Sequence, residues 1–240
     1  MARPKALLFK FPGTNADTET DRALRLAGFE TDVQPIAVID PLRLGDYRLL
    51  VFSGGFSYGD YVMAGRLAQL EIERRLGTAI RDFHQAGGHL LGICNGFQIL
   101  SKIGILPPAS LIANVSGRFV CRWVPLQRMA RENPFLSGLP DEFELPVAHA
   151  EGRLVTPAPE DAEGYLRDGL AALTYRENFN GSIAAIAGLQ DASGRALGLM
   201  PHPERFIDRH QHYDRDWSAA DHGWGHYLFQ SIYQRLAESA

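Results

Sequence analysis

The chain has 240 residues, 45% of them hydrophobic, which is enough to bury one large core, so residues 1–240 are expected to form a single domain. Its 24 basic and 28 acidic side chains are interspersed and leave a formal net charge of −4, with no basic block to follow a phosphate backbone, so nucleic acid is not expected as a partner. No apolar run approaches the roughly 20 residues that span a bilayer, and the start, Met1-Ala2-Arg3-Pro4-Lys5, leads directly into a strand-like stretch, so no membrane partner is expected and the chain reads as soluble and cytoplasmic. Two cysteines, Cys94 and Cys121, are too few for a disulfide framework and lack the spacing of a thiolate metal site, which fits a reducing compartment.

In chain order, Lys5 to Lys10 is a short apolar run, and Asp17 to Ala27 has helical spacing closed by Gly28. Extended runs follow at Thr31 to Ile36 and Leu49 to Ser53. Arg66 to Ala86 reads as one amphipathic helix ended by Gly87-Gly88, and His89 to Ile93 as a buried strand feeding a helix from about Asn95 to Ile103. This strand-helix alternation predicts an α/β fold with an open, mostly parallel, doubly wound sheet and helices on both faces, flavodoxin-like in kind. Beyond it, Leu111 to Gln127, Phe143 to Thr156, Ala171 to Arg176, Ser182 to Leu189 and Arg195 to Met200 read as short strands, expected as antiparallel additions that extend or cover the sheet. Ile207 to His222, rich in His, Asp and Arg, reads as a surface loop, and Gly225 to Glu238 as a closing helix with one apolar side.

Three segments carry chemistry. In Gly92-Ile93-Cys94-Asn95-Gly96 a strand meets a helix, and the small residues around Cys94 permit the sharp turn of a nucleophile elbow, with sulfur beside the positive end of the helix. A buried core cysteine between packing glycines is the plain alternative. In Pro201-His202-Pro203-Glu204 two prolines hold the chain extended, so His202 and Glu204 project to one side and the carboxylate can hold the imidazole of a general base. A stiff polar loop is the alternative there. Gly54-Gly55, after the run ending at Ser53, exposes backbone N–H groups suited to an oxyanion hole, or else makes a tight strand-exit turn.

Phe11-Pro12-Gly13-Thr14-Asn15, Gly54-Gly55-Phe56-Ser57-Tyr58-Gly59-Asp60-Tyr61, Cys94-Asn95-Gly96-Phe97-Gln98, Phe119-Val120-Cys121-Arg122, Ala148-His149-Ala150-Glu151-Gly152, Asn180-Gly181-Ser182 and Pro201-His202-Pro203-Glu204-Arg205 span nearly the whole chain. On these the sequence resembles the triad-type, class I glutamine amidotransferases, in the branch that serves phosphoribosylformylglycinamidine synthesis. The resemblance implies that Cys94 attacks the glutamine carboxamide, that His202 carries protons and that Glu204 orients it. It further implies an oxyanion hole from the amides of Gly55 and Asn95, and Gln98 near the bound glutamine. The ammonia would go to a large synthetase subunit, with a small bridging subunit also implied; no cofactor is implied in this chain, ATP and magnesium belonging to the synthetase. Ala16, Val120, Met63 and Ala64 depart from the family's usual residues, none at a triad position.

A glutaminase serving another synthetase of the same fold, or a DJ-1/PfpI-like thiol protein, is the rival; Asn95 rather than His after the cysteine speaks against the latter. His210, His212, His222 and His226 are read as solvated loop histidines and not as a metal site. Cys121 is expected to pack as a small hydrophobe, and His149 and Glu151 to contact glutamine, contact the partner, or pair at a strand end.

Overall fold

The computed structural model describes residues 3–60 and 65–238, with Gly59 and Asp60 given by backbone alone. Met63 and Ala64 lie outside the described residues. In chain order the first half comprises β1 (Lys5–Lys10), α1 (Asp17–Ala27), β2 (Glu30–Pro35), β3 (Leu49–Phe52), α2 (Arg66–Leu76), α3 (Ala79–Gln85), β4 (His89–Ile93) and α4 (Asn95–Lys102). The second comprises β5 (Ser110–Ile112), β6 (Val120–Arg128), β7 (Glu142–His149), β8 (Arg153–Val155), α5 (Pro159–Arg167), β9 (Ala171–Tyr175), β10 (Ile186–Gln190), β11 (Ala196–Leu199) and α6 (Trp224–Glu238).

Every residue of β3, β4 and β11 is buried, as strands covered on both faces require, whereas β7 alternates between buried and partly exposed positions. Among the described residues the main sheet has nine strands in the order β2-β1-β3-β4-β11-β10-β9-β6-β7. The pairs from β2 to β11 are parallel and those from β11 to β7 antiparallel, so the second half extends the sheet, and β5 and β8 pair separately. α1 packs on β1 and against α6, while α4 packs on β3, β4 and β11 and against α2. Gly28 ends α1 at φ 115, its amide bonding to the carbonyls of Leu24 and Arg25, and a Cβ there would lie 2.7 Å from the Tyr233 ring of α6. This is the predicted doubly wound sheet.

Several boundaries differ from the sequence reading. Arg66 to Ala86 is two helices, because Gly77 takes φ 55 and breaks the ladder after Leu76. Leu111 to Gln127 divides into β5 and β6 around a turn at Asn114, and Phe143 to Thr156 into β7 and β8 around Ala150-Gly152. α5 has no counterpart in the reading, although Pro159 at its first position and Asp161 capping the Ala158 amide are start signals.

Candidate active site

Parallel strands deliver their carboxyl ends to one edge, and the segments singled out from the sequence meet there. Cys94 follows β4 and precedes α4, with φ 53, a left-handed conformation in a residue with a side chain. The corner closes only because its neighbours lack Cβ atoms: one on Gly96 would lie 1.8 Å from the Phe52 carbonyl oxygen, and one on Gly92 2.6 Å from the Gly96 carbonyl oxygen. Cys94 is 6% exposed, and its Sγ lies 3.9 Å from the Ala148 carbonyl oxygen of β7.

His202 and Glu204 follow β11, which pairs in parallel with β4, so they arrive beside Cys94 from 108 positions further along the chain, the difference between 202 and 94. The His202 amide bonds to the Pro146 carbonyl of β7 at 2.8 Å, which pins the extended Pro201–Pro203 segment across the sheet end. Its Nδ1 lies 2.6 Å from Glu204 Oε1, with both side chains buried. Nε2, on the other side of the ring, has no hydrogen-bond partner. Burial opposes charge on the imidazole, yet Glu204 and Cys94 outweigh it and raise its pKa well above the ordinary value. A Cβ on Gly54 would sit 2.8 Å from His202 Cε1, so that glycine lets the ring close on the site.

The Gly54-Gly55 turn after β3 completes the edge. Gly55, at φ 146, forms an antiparallel bridge with Thr14, and the amides of Phe56 and Tyr58 bond to the carbonyls of Gly13 and Pro12, so the loop after β1 holds it. Gly55, Phe56, Cys94, Gln98, Ala148, His149, Ala150 and Glu151 line a cavity of about 210 Å³. Asn95 is buried; its side chain accepts from Ser57 Oγ and donates to Gln98 Oε1 at 2.9 Å, and Gln98 donates onward to the Glu151 carbonyl at 2.7 Å. One polar chain therefore joins the glycine loop to the far wall of the cavity.

The far wall is braced by Asn114 and His149. Asn114 Nδ2 donates to the carbonyls of Arg118 and His149, which turns its Oδ1 toward the Gly152 amide and His149 Nδ1. The proton on Nδ1 makes this bond, and His149 Nε2 is left buried without a partner. Burial first and His202 second push the pKa of His149 down to about 4, so it is neutral. Tyr175, at the end of β9, has a buried hydroxyl without a partner, and burial followed by Cys94 raises its pKa. The signal available for Asn114 was its setting, Ala113-Asn114-Val115-Ser116-Gly117, a cluster of turn-formers inside an apolar run.

Two expectations are corrected. Cys121 is exposed on β6, because the side chains of this strand alternate and its neighbour Val120, not the thiol, packs on the core. Within the His-rich segment His212 is buried, with Nε2 at 2.9 Å from Glu144 Oε1 and its ring among Trp123, Phe206 and Trp217. The His222 and His226 rings lie 4.2 Å apart, and no group of three or more metal-binding side chains occurs among the described residues.

The parallel sheet thus brings a cysteine on a strained strand-to-helix corner and a buried histidine-carboxylate pair together at one edge of an α/β domain. The chain belongs to the CobB/CobQ-like glutamine amidotransferase domain family, whose model matches residues 3–234. It is 42% identical to phosphoribosylformylglycinamidine synthase subunit PurQ of Dehalococcoides mccartyi, covering 88% of this chain and 89% of that one. The solved structure of PurLQS from Thermotoga maritima contains a chain that superimposes with a TM-score of 0.80 at 34% identity, over 98% of this chain and 100% of that one. A glutamine amidotransferase from the same organism shares the fold, at TM-score 0.58 and 19% identity over 85% and 77% of the two chains.

Proposed function

We infer that this chain is the glutamine-hydrolysing subunit of a phosphoribosylformylglycinamidine synthase in purine biosynthesis. The relatives named PurQ and the PurLQS structure support that reading, and with it a complex with a large synthetase subunit and a small bridging subunit. The observation that carries the chemistry is the convergence of Cys94 with His202 and Glu204 at adjacent strand ends.

In the proposed cycle His202 Nε2 takes the thiol proton and Cys94 Sγ adds to the carboxamide carbon of glutamine. The negative charge that develops on oxygen faces the amides of Gly55 and Asn95. The proton then passes from His202 to the departing nitrogen, the C–N bond breaks, and ammonia leaves a glutamyl thioester. Water, deprotonated by His202, adds to the thioester, the C–S bond breaks, and the proton passes from His202 to the departing sulfur to give glutamate and free thiol. Glu204 holds Nδ1–H and supports the imidazolium in both halves of the cycle. Gln98 lines the glutamine cavity. ATP and magnesium act in the synthetase, and no cofactor is assigned to this chain. No helix among the described residues is long and apolar enough to cross a membrane, and we assign the protein to the cytoplasm.

The test is Cys94→Ala in complex with the synthetase. Glutamine-dependent amidine formation should fall by about 10⁴-fold or more while ammonium-dependent formation persists. Glutamate release at the native rate would sink the assignment of the nucleophile.

A further inference from the structure

A second, larger cavity does not touch Cys94. It measures about 660 Å³ and lies at the opposite edge of the sheet, where β3, β4 and β11 begin. Arg48 immediately precedes β3, His89 opens β4 and Arg195 immediately precedes β11, and all three line the cavity. The Arg48 carbonyl accepts from the His89 amide at 3.1 Å and the Arg195 carbonyl from the Leu90 amide at 2.9 Å, so the backbone holds these residues side by side. α6 adds Arg235 to the lining. The acidic residues of the lining are Glu132 and Glu238, both exposed, so three guanidiniums against two carboxylates leave a net charge of +1.

Two polar atoms here are buried without hydrogen-bond partners: His89 Nδ1, on a residue 9% exposed, and Arg195 Nε. Arg195 places Nη2 3.4 Å from the His84 carbonyl, and among the described residues neither it nor Arg48 forms an ion pair with a carboxylate. Burial first, and then Arg195, Arg48, His84 and Arg235, lower the pKa of His89 to about 4, so the charges around that ring are positive. Buried polar atoms are ordinarily satisfied, and each exception calls for a partner.

We propose that this cavity binds a small oxyanion, a phosphate group or a carboxylate, held by the guanidiniums of Arg48 and Arg195 with His89 beside them. A guanidinium presents N–H donors in a planar fork that matches two oxygens of such a group. Glu132 and Glu238 are exposed, where solvent screens their charge, whereas Arg195 Nε and His89 Nδ1 are buried. The position has a consequence for the catalytic edge, because β4 and β11 end at Cys94 and the His202 segment. An ion spanning His89 and Arg195 ties together the beginnings of these same two strands.

The experiment follows the His89 Cε1–Hε1 resonance of the isotope-labelled full chain at constant ionic strength. Sodium phosphate and sodium succinate are titrated separately, with sodium chloride as the control. A saturable shift at millimolar concentration with phosphate or succinate, absent with chloride, is the expected result, and which salt saturates separates the two sources of oxyanion. R195M should weaken that binding roughly tenfold or more. R195K, which keeps the charge and loses the fork, should weaken it too while keeping the anion-free melting temperature. Absence of a saturable shift with either salt overturns the proposal. So does a shift undiminished in both variants.

Discussion

The two halves of the sheet position their parts of the candidate site by different means. In the parallel half the backbone does it: Cys94 sits at φ 53 because β4 must turn into α4 within one residue, and Gly92 and Gly96 let the chain pass against Phe52. In the antiparallel half hydrogen bonds do it. His202 is held by Glu204 and by the Pro146 carbonyl, and His149 by Asn114. β11 joins the two systems, being parallel to β4 and antiparallel to β10. Close backbone contacts confine the thiol, which fits the nucleophile proposed above. A hydrogen-bonded imidazole keeps its orientation and can still exchange protons, which fits the proposed base.

Acid should have the largest effect, and it should act on both halves. His89 in the parallel half and His149 in the antiparallel half are buried, each with a pKa lowered from 6.5 to about 4. The unfolded chain therefore binds more protons at these two rings between these values, so their contribution to stability is level above pH 6.5 and is lost as pH falls toward 4. At about 1.4 kcal/mol per pKa unit, the two rings together account for a loss of about 7 kcal/mol, comparable with the whole stability of many domains. Urea unfolding across this window measures it, and H89Q and H149Q should each flatten part of the slope. A slope unchanged in H149Q would remove the antiparallel half from the effect.

Gly96→Ala sharpens the contrast from the parallel side. Its Cβ meets the Phe52 carbonyl, so the elbow must shift, at about 3 kcal/mol of stability. Denaturant unfolding should show that loss together with loss of glutamine hydrolysis. A stable, active G96A protein would mean that the corner is not held by backbone contact. The smallest effect expected is that of Ser57→Ala, which removes the hydroxyl bonded to the Asn95 side chain. Loss of one buried hydrogen bond, about 1 kcal/mol, should slow hydrolysis roughly five- to tenfold at nearly unchanged melting temperature. An unaltered kcat would show that the glycine loop keeps its place through its backbone bonds to the loop after β1.

What the sequence determined by itself was local in origin. Continuous apolar runs at β3 and β4, the glycines around Cys94 and the prolines around His202 impose their geometry on immediate neighbours, so the parallel sheet, the elbow and the extended His-Pro-Glu segment were legible without any partner strand. Tertiary structure decided the rest. The burial of His212 and the exposure of Cys121 depend on which distant surface each segment meets. The same holds for the orphaned nitrogens of His149, His202 and His89. A hydrogen bond or a desolvated ring is a relation between positions remote in the chain, and residue type and spacing record only what each position can offer.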